Sequence, residues 1–244
     1  MKIVLEWVVN HIILLIIHII LKIDAQELKK VPQKGPILVV ANHVNFLDAP
    51  VLYTILYPRP VSGIAKKEAW DNVLHGFLFR LWDIIPIERG TADFGAFKLA
   101  KSVLNDGTIL AFAPEGTRSE TGQLQRAKPG VAMLVSQCLD VPILPIAYYG
   151  HETLNQNLKR FKRTPMNISV GQPFLVNLEG RQKNRETMQM VTDAIMAEIA
   201  KLMPDKYQGV YAEIGISDRG LIEYLEMSDG KIKLSGQHIP QAVG

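Results

Sequence analysis

The sequence has very little cysteine and little excess of charge of either sign. Its 244 residues include one cysteine, Cys138, and 27 basic against 24 acidic side chains, a formal net charge of +3. A single cysteine excludes a disulfide framework and a cysteine-based zinc site, and it suits a reducing compartment. So small a charge gives no electrostatic reason to expect a nucleic-acid partner. We therefore expect neither nucleic acid nor a bound metal.

Other absences narrow the class of protein further. The chain has no internal repeat and no low-complexity tract. With 48% hydrophobic and 21% charged residues, its composition excludes a disordered chain, a collagen-like fibre and a polytopic membrane protein. The length fits one large domain or two small ones. The mean hydropathy of +0.09 is slightly high, and the position of the apolar residues explains it.

Much of the apolar excess lies at the N-terminus. Residues 12–21 are apolar except for His18, and as a helix they cover only ~15 Å of a ~30 Å hydrocarbon core. Extending the run to residues 4–23 reaches spanning length but includes several polar and charged side chains, which are rare inside bilayers. The pattern favours a helix or helical hairpin lying in one leaflet. A single spanning helix, a buried core helix and a cleaved signal peptide are the alternatives, in that order.

From residue 36 onwards, short apolar runs alternate with amphipathic stretches. This alternation predicts an α/β domain with a mostly parallel sheet flanked by helices. The predicted strands are residues 37–41, 61–65, 84–87, 108–112, 143–148 and 166–170, and the predicted helices are residues 91–104, 129–139 and 185–202. Either Thr91 or Asp93 would cap the first of these helices.

The chain accordingly divides into three parts. Residues 1–30 form the membrane-associating segment, residues 31–205 the α/β domain, and residues 206–244 an appendage or a partly ordered tail. Within the last part, residues 222–227 and 231–234 could pair as a hairpin across the turn between them.

The first predicted strand ends in Asn42 and His43, and Asp48 follows five residues after the histidine. Functional side chains of open α/β sheets gather at the carboxyl ends of the strands. Asp48 would open the next helix, and its carboxylate would fix one ring nitrogen of His43 and leave the other as a general base. The alternative is a loop histidine that caps a helix.

The fourth predicted strand is followed by the sequence Pro-Glu-Gly-Thr-Arg-Ser. Arg118 offers a planar fork for a phosphate, Thr117 adds a hydroxyl donor, and Gly116 permits close approach of the backbone. The alternative is an ordinary β-turn with a solvated arginine. Lys66 and Arg89 follow two other strand ends, so several cations converge on the same edge of the predicted sheet.

These blocks resemble the motifs of the glycerolipid acyltransferases, the family that includes the 1-acylglycerol-3-phosphate acyltransferases. The matching segments are residues 42–48 (Asn-His-x-x-x-x-Asp), 63–68 with 87–89, 114–119 and 141–146. Ala113 stands where the family usually has phenylalanine, and Lys128 belongs to a segment that resembles the family's basic-glycine turn. The resemblance covers residues 36–150 clearly and residues 166–202 loosely.

The resemblance implies a glycerol-3-phosphate acyltransferase-like fold and a reaction. An acyl group would pass from acyl-CoA or acyl carrier protein to the sn-2 hydroxyl of 1-acylglycerol-3-phosphate, giving phosphatidic acid. His43 and Asp48 would be the catalytic pair, and Arg89, Arg118 and Lys128 would bind the acceptor's phosphate. No cofactor is implied beyond the thioester co-substrate.

The remaining motif residues would surround the reacting groups. Glu115 would orient Arg118 or a substrate hydroxyl, and Gly116 and Thr117 would lie beside the substrate. Lys66 or nearby loop amides would stabilise the oxyanion. The sequence has no Gly-x-Ser-x-Gly elbow, which agrees with direct transfer rather than a serine acyl-enzyme.

The resemblance also suggests why the chain would bind membranes, because lysophospholipids and acyl chains partition into the bilayer. We expect a monotopic or singly anchored protein at the cytoplasmic face, in contact with the lipid bilayer. The basic residues 159–163 would attract anionic lipids, or else form a solvated loop. Cys138 is expected mid-helix on a core-facing side. Two other functions compete: remodelling of another lysophospholipid, and non-catalytic lipid binding.

Overall fold

A computed structural model describes residues 2–88, 93–212, 220–228 and 231–233 of the chain. Its α-helices are α1 (Lys2–Ile20), α2 (Asp48–Leu56), α3 (Val73–Leu81), α4 (Phe94–Asn105), α5 (Gly130–Val135), α6 (Leu154–Lys159) and α7 (Arg185–Ala200). Its strands are β1 (Leu21–Asp24), β2 (Ile37–Ala41), β3 (Val61–Lys66), β4 (Ile85–Ile87), β5 (Ile109–Phe112), β6 (Ile143–Tyr149), β7 (Thr164–Val170), β8 (Phe174–Val176), β9 (Ile222–Tyr224), β10 (Glu226–Ser228) and β11 (Lys231–Lys233).

Nine of these strands form one sheet in the order β1-β7-β6-β2-β5-β3-β4, with β8 beside β6 and β9 beside β8. Strands β2, β3, β4, β5 and β6 all run in the same direction, whereas β7 is antiparallel to β6. The expected α/β architecture with a mostly parallel sheet is therefore confirmed. Because β2 lies between β5 and β6, the loops that follow these three strands are neighbours at one edge of the sheet.

Alternating side chains of the strands supply two cores, one on each face of the sheet. Leu38 and Val40 pack with α4, α5 and α7 on one face. Ile37 and Val39 pack with α1, α2 and the end of α3 on the other. Helices therefore cover both faces, which explains why the strands are continuous apolar runs rather than alternating ones.

The six predicted strands agree with β2 to β7 within two residues, and two helices are shorter than predicted. The helix expected over residues 129–139 ends at Val135, because the amides of Gln137 and Cys138 bond three residues back and tighten the chain into a turn. Cys138 therefore follows α5 rather than lying mid-helix, but it is buried in the core as expected. Helix α7 ends at Ala200 instead of residue 202.

Helix α4 begins at Phe94, and Asp93 is its N-cap. The Asp93 carboxylate accepts a hydrogen bond from the amide of Ala96 at 2.9 Å. Asp93 was one of the two predicted caps, and the other, Thr91, lies outside the described residues. The C-terminal hairpin is confirmed only in its second half, where β10 pairs with β11. Strand β9 instead pairs with β8 and extends the main sheet.

The N-terminal apolar segment forms one helix, α1, followed directly by strand β1. The apolar run extends to residue 23, but the helix ends at Ile20, because Leu21 is fully buried and residues 21–24 pair with β7. Helix α1 is long and apolar enough to cross a membrane, and only 11% of its most apolar 18-residue stretch is buried against the rest of the protein. Asn10 and Ile17 are its buried side chains. Most of its apolar surface is therefore exposed.

Both ends of α1 are attached to the α/β domain. The Lys2 ammonium lies 2.7 Å from the Asp83 carboxylate beyond α3, and at the other end the Arg163 guanidinium donates to the carbonyl of Leu21 at 2.7 Å. Midway, the indole N–H of Trp82 donates to the Asn10 side chain at 3.0 Å. The helix consequently lies along the surface of the domain rather than projecting from it.

Candidate active site

The loop after β2 brings His43 and Asp48 together. Helix α2 begins at Asp48, so the chain turns between the two residues, and His43 Nδ1 lies 2.7 Å from Asp48 Oδ2. The same carboxylate oxygen accepts the backbone amides of Val44 at 2.6 Å and Asn45 at 2.9 Å. His43 Nε2 has no hydrogen bond to any described residue, so it is the nitrogen that remains for a substrate.

Asp48 is a buried carboxylate, with 4% of its surface exposed. Burial by itself raises the pKa of Asp48, but hydrogen bonds from His151 and His43 outweigh that effect and hold the pKa at about 2. The group is therefore ionised at neutral pH. An ionised carboxylate can hold the Nδ1–H tautomer of His43 and stabilise the imidazolium that forms when Nε2 takes a proton.

Glu115 joins the loop after β5 to the loop after β2. Its carboxylate accepts the amide of His43 at 2.9 Å and the amide of Gln125 at 2.8 Å. Both oxygens thus bond to backbone amides, whereas Glu115 was predicted to orient Arg118 or a substrate hydroxyl. Burial raises the pKa of Glu115 to about 7, although these two amides favour the carboxylate. Because Glu115 accepts the backbone amide of His43, it fixes the position of that residue's backbone.

Three further residues at this edge were missed by the sequence analysis or were given no role there. His151 is fully buried, and its Nε2 lies 2.5 Å from Asp48 Oδ1. Asn42 exchanges two hydrogen bonds with the backbone of Tyr148. The Tyr148 hydroxyl is buried and has no partner among the described residues. The signal that could have found His151 and Tyr148 is their place at the carboxyl end of a predicted strand, residues 143–148.

A cavity of ≈ 510 Å³ opens at His43 and Asp48. It extends between α2 and α3 over the sheet, and apart from its polar end its lining is mostly apolar and aromatic. Its apolar lining includes Leu52, Tyr53, Ile64, Leu78, Phe79, Trp82 and Ile84. Tyr53 stacks on Trp82 with ring centroids 4.8 Å apart, and a Cβ at Gly63 would come within 2.5 Å of the Tyr53 hydroxyl. The volume and lining suit a flexible apolar ligand.

The structure places most of the remaining predicted site residues around the same cavity. Gly116, Thr117, Arg118 and Lys66 all line it. Gly116 has a φ of +68°, which allows the loop to turn sharply there. The side chain of Lys128 is exposed and passes beside Gly116, where a Cβ would lie 3.8 Å from Lys128 Cδ. Lys128 thus lies next to the loop but does not line the cavity.

Arg89, the third predicted phosphate ligand, lies outside the described residues. Within the described residues, no group of three or more histidine, cysteine, aspartate or glutamate side chains is placed to hold a metal ion. The polar end of the cavity therefore consists of the His43–Asp48 pair, the loop of Gly116 to Arg118, and Lys66.

The motifs and the fold agree with a known protein family. A profile of the Acyltransferase family matches residues 22–149. The chain belongs to the acyltransferase family. The matched segment runs from β1 to the end of β6 and includes His43, Asp48 and the loop of Glu115 to Arg118. This membership makes the protein an acyltransferase and disfavours the alternative of a non-catalytic lipid-binding protein.

Similar proteins carry a consistent name. The chain is 24% identical over 175 residues to a 1-acyl-sn-glycerol-3-phosphate acyltransferase of Bacillus subtilis, covering 71% of this chain and 84% of that protein. It is 34% identical over 139 residues to a probable 1-acyl-sn-glycerol-3-phosphate acyltransferase of Mycoplasma genitalium, covering 54% of this chain and 51% of that protein. The similarity to the second relative thus spans about half of its length.

A solved structure shares the fold of this acyltransferase. The crystal structure of the 1-acyl-sn-glycerophosphate acyltransferase PlsC from Thermotoga maritima superposes with a TM-score of 0.54. The superposition covers 75% of this chain and 70% of that one, at 22% sequence identity. The expected acyltransferase-type α/β fold is therefore confirmed.

Proposed function

We propose that this acyltransferase moves an acyl group from a thioester to the sn-2 hydroxyl of 1-acylglycerol-3-phosphate, which yields phosphatidic acid. The observation that carries the proposal is the His43–Asp48 pair at the polar end of an apolar cavity, with Arg118 beside it. A lysophosphatidate has the matching features: a hydroxyl to activate, an acyl chain and a phosphomonoester. The thioester donor is acyl-CoA or acyl carrier protein.

The reaction needs a base because an alcohol is a weak nucleophile at neutral pH. His43 Nε2 takes the hydroxyl proton as the oxygen attacks the thioester carbonyl, and Asp48 stabilises the imidazolium. The C–O bond forms and the C–S bond breaks, and the proton passes from His43 to the departing thiolate. The proposal takes transfer to be direct, in keeping with the lack of a Gly-x-Ser-x-Gly elbow in the sequence and of a cysteine or serine among the described residues that line the cavity.

The other groups around the cavity bind and polarise the substrates. The Lys66 ammonium is the candidate donor to the thioester oxygen, where negative charge develops in the transition state. The apolar stretch between α2 and α3 receives an acyl chain. Arg118 binds the acceptor phosphate through two N–H groups of its guanidinium, and Thr117 is a further hydrogen-bond donor.

Acceptor preference tests this proposal against remodelling of another lysophospholipid. Purified protein in detergent is supplied with oleoyl-CoA and either lysophosphatidate or lysophosphatidylcholine. We expect kcat/KM for lysophosphatidate to be larger by about 10-fold or more, because a phosphomonoester carries more negative charge than the phosphodiester of lysophosphatidylcholine and is not covered by a choline cation. Equal values for the two acceptors would favour the remodelling function instead.

Replacing Arg118 with alanine tests the phosphate site directly. We expect KM for lysophosphatidate to rise about 10- to 100-fold with little change in kcat, because the phosphate contact is equally strong in the ground and transition states. The measurement is steady-state kinetics on lysophosphatidate and on a zwitterionic lysolipid. The effect should be much smaller for the zwitterion.

A matched variant controls for the loss of one positive charge. Arg185 is exposed at the start of α7, which packs on the opposite face of the sheet from the cavity. Arg185→Ala should leave KM unchanged for both acceptors. If Arg118→Ala raised KM equally for the phosphomonoester and the zwitterion, Arg118 would have no part in phosphate recognition.

We propose further that the protein is monotopic, with α1 lying in the membrane interface at the cytoplasmic face, where thioester donors are available. Both ends of α1 are tied to the same domain, which a helix crossing the bilayer could not achieve. Its outward side presents Ile12, Leu15 and Ile19, which are 53%, 64% and 64% exposed. Such a stripe lowers its free energy by entering the acyl region of one leaflet.

Charge placed on this stripe should weaken membrane binding. We expect the double variant Leu15→Glu/Ile19→Glu to bind vesicles more weakly by about 100-fold or more, since the two buried side chains contribute roughly 1.5–3 kcal/mol each. Co-sedimentation with anionic vesicles measures it. Val210→Glu, at an exposed apolar position in the segment after α7, is the control and should bind like the wild type. Unchanged binding by the double variant would exclude α1 as the membrane contact.

A further inference from the structure

His151 is a second imidazole on the carboxylate that serves the candidate base. Its side chain is fully buried, and Nε2 lies 2.5 Å from Asp48 Oδ1, on the opposite oxygen from His43. It is two residues beyond the segment that matches the family profile, and no step of the proposed reaction uses it directly. The function of this buried histidine beside a catalytic carboxylate therefore needs an explanation.

The fold places His151 by several independent contacts. Asn42, which precedes His43, exchanges hydrogen bonds of 2.8 and 2.7 Å with the backbone of Tyr148 and so ties the end of β6 to the end of β2. Gly150 then turns the chain with a φ of +93°. The side chain of Asn45 donates to the carbonyl of His151 at 3.2 Å. The loop that carries the candidate base therefore also holds the second histidine.

The hydrogen-bond partners determine the tautomer of His151. Nε2 faces an ionised carboxylate oxygen, so Nε2 carries a proton and donates it. Nδ1 is buried and has no partner among the described residues. A bare nitrogen at that place is less costly than a second buried N–H on a charged ring, which would lack an acceptor. His151 consequently donates from Nε2 to Asp48 Oδ1.

This arrangement assigns each oxygen of Asp48 a separate set of donors. Oδ2 accepts from His43 and from the amides of Val44 and Asn45, whereas within the described residues Oδ1 accepts from His151 alone. Rotation of the carboxylate about its own axis would break the His151 bond and leave Oδ1 buried and unpaired. His151 therefore fixes the plane of the carboxylate and keeps Oδ2 aimed at His43.

We propose that His151 is a positioning residue that acts on the base through Asp48, by holding the carboxylate in the orientation in which it supports the His43 imidazolium. This inference rests on the proposed function, since it concerns the same proton transfer. It predicts an effect on kcat and little effect on KM, because His151 touches neither substrate.

Two polar replacements separate this role from simple packing. The amide nitrogen of glutamine falls near the place of imidazole Nε2, so His151→Gln keeps a donor to Oδ1, whereas the shorter amide of His151→Asn falls near Nδ1 and does not reach. We expect His151→Asn to lower kcat about 10- to 100-fold with KM within about threefold of wild type, and His151→Gln to recover most of the loss. Steady-state kinetics with lysophosphatidate and oleoyl-CoA measures both.

A control substitution addresses general destabilisation. Thr192 is fully buried in α7, and its hydroxyl donates to the carbonyl of Met188. Thr192→Val removes a buried side-chain hydrogen bond on the far face of the sheet and should lower the melting temperature without changing kcat. Equal kcat values for the Asn and Gln variants of His151, whether both reduced or both normal, would overturn the proposal. A wild type without transfer activity would instead refute the proposed function.

The tautomer gives a test that does not depend on any variant folding. Nitrogen NMR of the wild-type protein labelled at histidine distinguishes the protonated from the bare ring nitrogen. The proposal predicts a proton on Nε2 of His151. A proton on Nδ1 with a bare Nε2 would contradict it, because such a ring has no donor to offer Asp48 Oδ1.

Discussion

Replacing His43 with asparagine is expected to lower kcat about 10²- to 10⁴-fold, the usual contribution of a positioned general base. The asparagine amide stands near the place of Nδ1, so it can still donate to Asp48 and keep the loop after β2 in place. It has no group at the position of Nε2, the nitrogen left free for substrate. The loss therefore falls on kcat, and KM should change little.

The matched comparison is His43→Ala, which removes the base and also the contact with Asp48. Both variants should retain vesicle binding, and the asparagine variant should also retain a near-normal melting temperature. If His43→Asn kept a kcat close to that of the wild type, His43 would not be the base.

The Asp48→Asn substitution has the second large expected effect. Asparagine has nearly the same shape, but its nitrogen must face either the Oδ1 or the Oδ2 position. Facing His43, it donates to Nδ1 and moves the ring proton to Nε2, the nitrogen that has to accept the substrate proton. Facing His151, it opposes the Nε2–H donor of that ring, and it also removes the charge that stabilises the His43 imidazolium. A loss of about 10⁴-fold in kcat accompanies the equivalent change in a serine protease triad.

The pH dependence of this effect follows from the direction of the pKa shift. The pKa of Asp48 lies at about 2, below its ordinary value of 3.8, so its ionised form is favoured by folding. The resulting stability is present above pH 3.8 and is lost as the pH falls through 2. The rate ratio of wild type to Asp48→Asn should thus vary little with pH above about 5 on account of Asp48 itself. Asp106→Asn, at an exposed turn after α4, controls for the charge change and should be silent.

Much of this architecture could be predicted from local sequence patterns. The strands β2 to β7 are short apolar runs bounded by polar and turn residues, and burial on both faces makes that signal strong. The placement of His43 and Asp48 followed from the same rule, since polar residues that follow a buried parallel strand lie at its carboxyl edge.

The contacts that depend on which strands are neighbours could not be predicted. Glu115 bonds to the amide of His43, and His151 bonds to Asp48, because β5 and β6 flank β2 in the sheet. The local sequence around Glu115 or His151 does not indicate the order of these strands in the sheet. The end of α1 could not be predicted for a similar reason: nothing in residues 21–24 by themselves ends a helix, and pairing with the distant β7 decides that they form a strand.

The most direct test of the central claim is the transfer itself, with the position of the new acyl group determined. The full chain is reconstituted in phospholipid vesicles with radiolabelled oleoyl-CoA or oleoyl-acyl carrier protein and 1-acyl-lysophosphatidate. The account predicts labelled phosphatidic acid from which an sn-2-specific phospholipase releases the label as free oleate. Absence of transfer from both donors, or label that this phospholipase does not release, would contradict it.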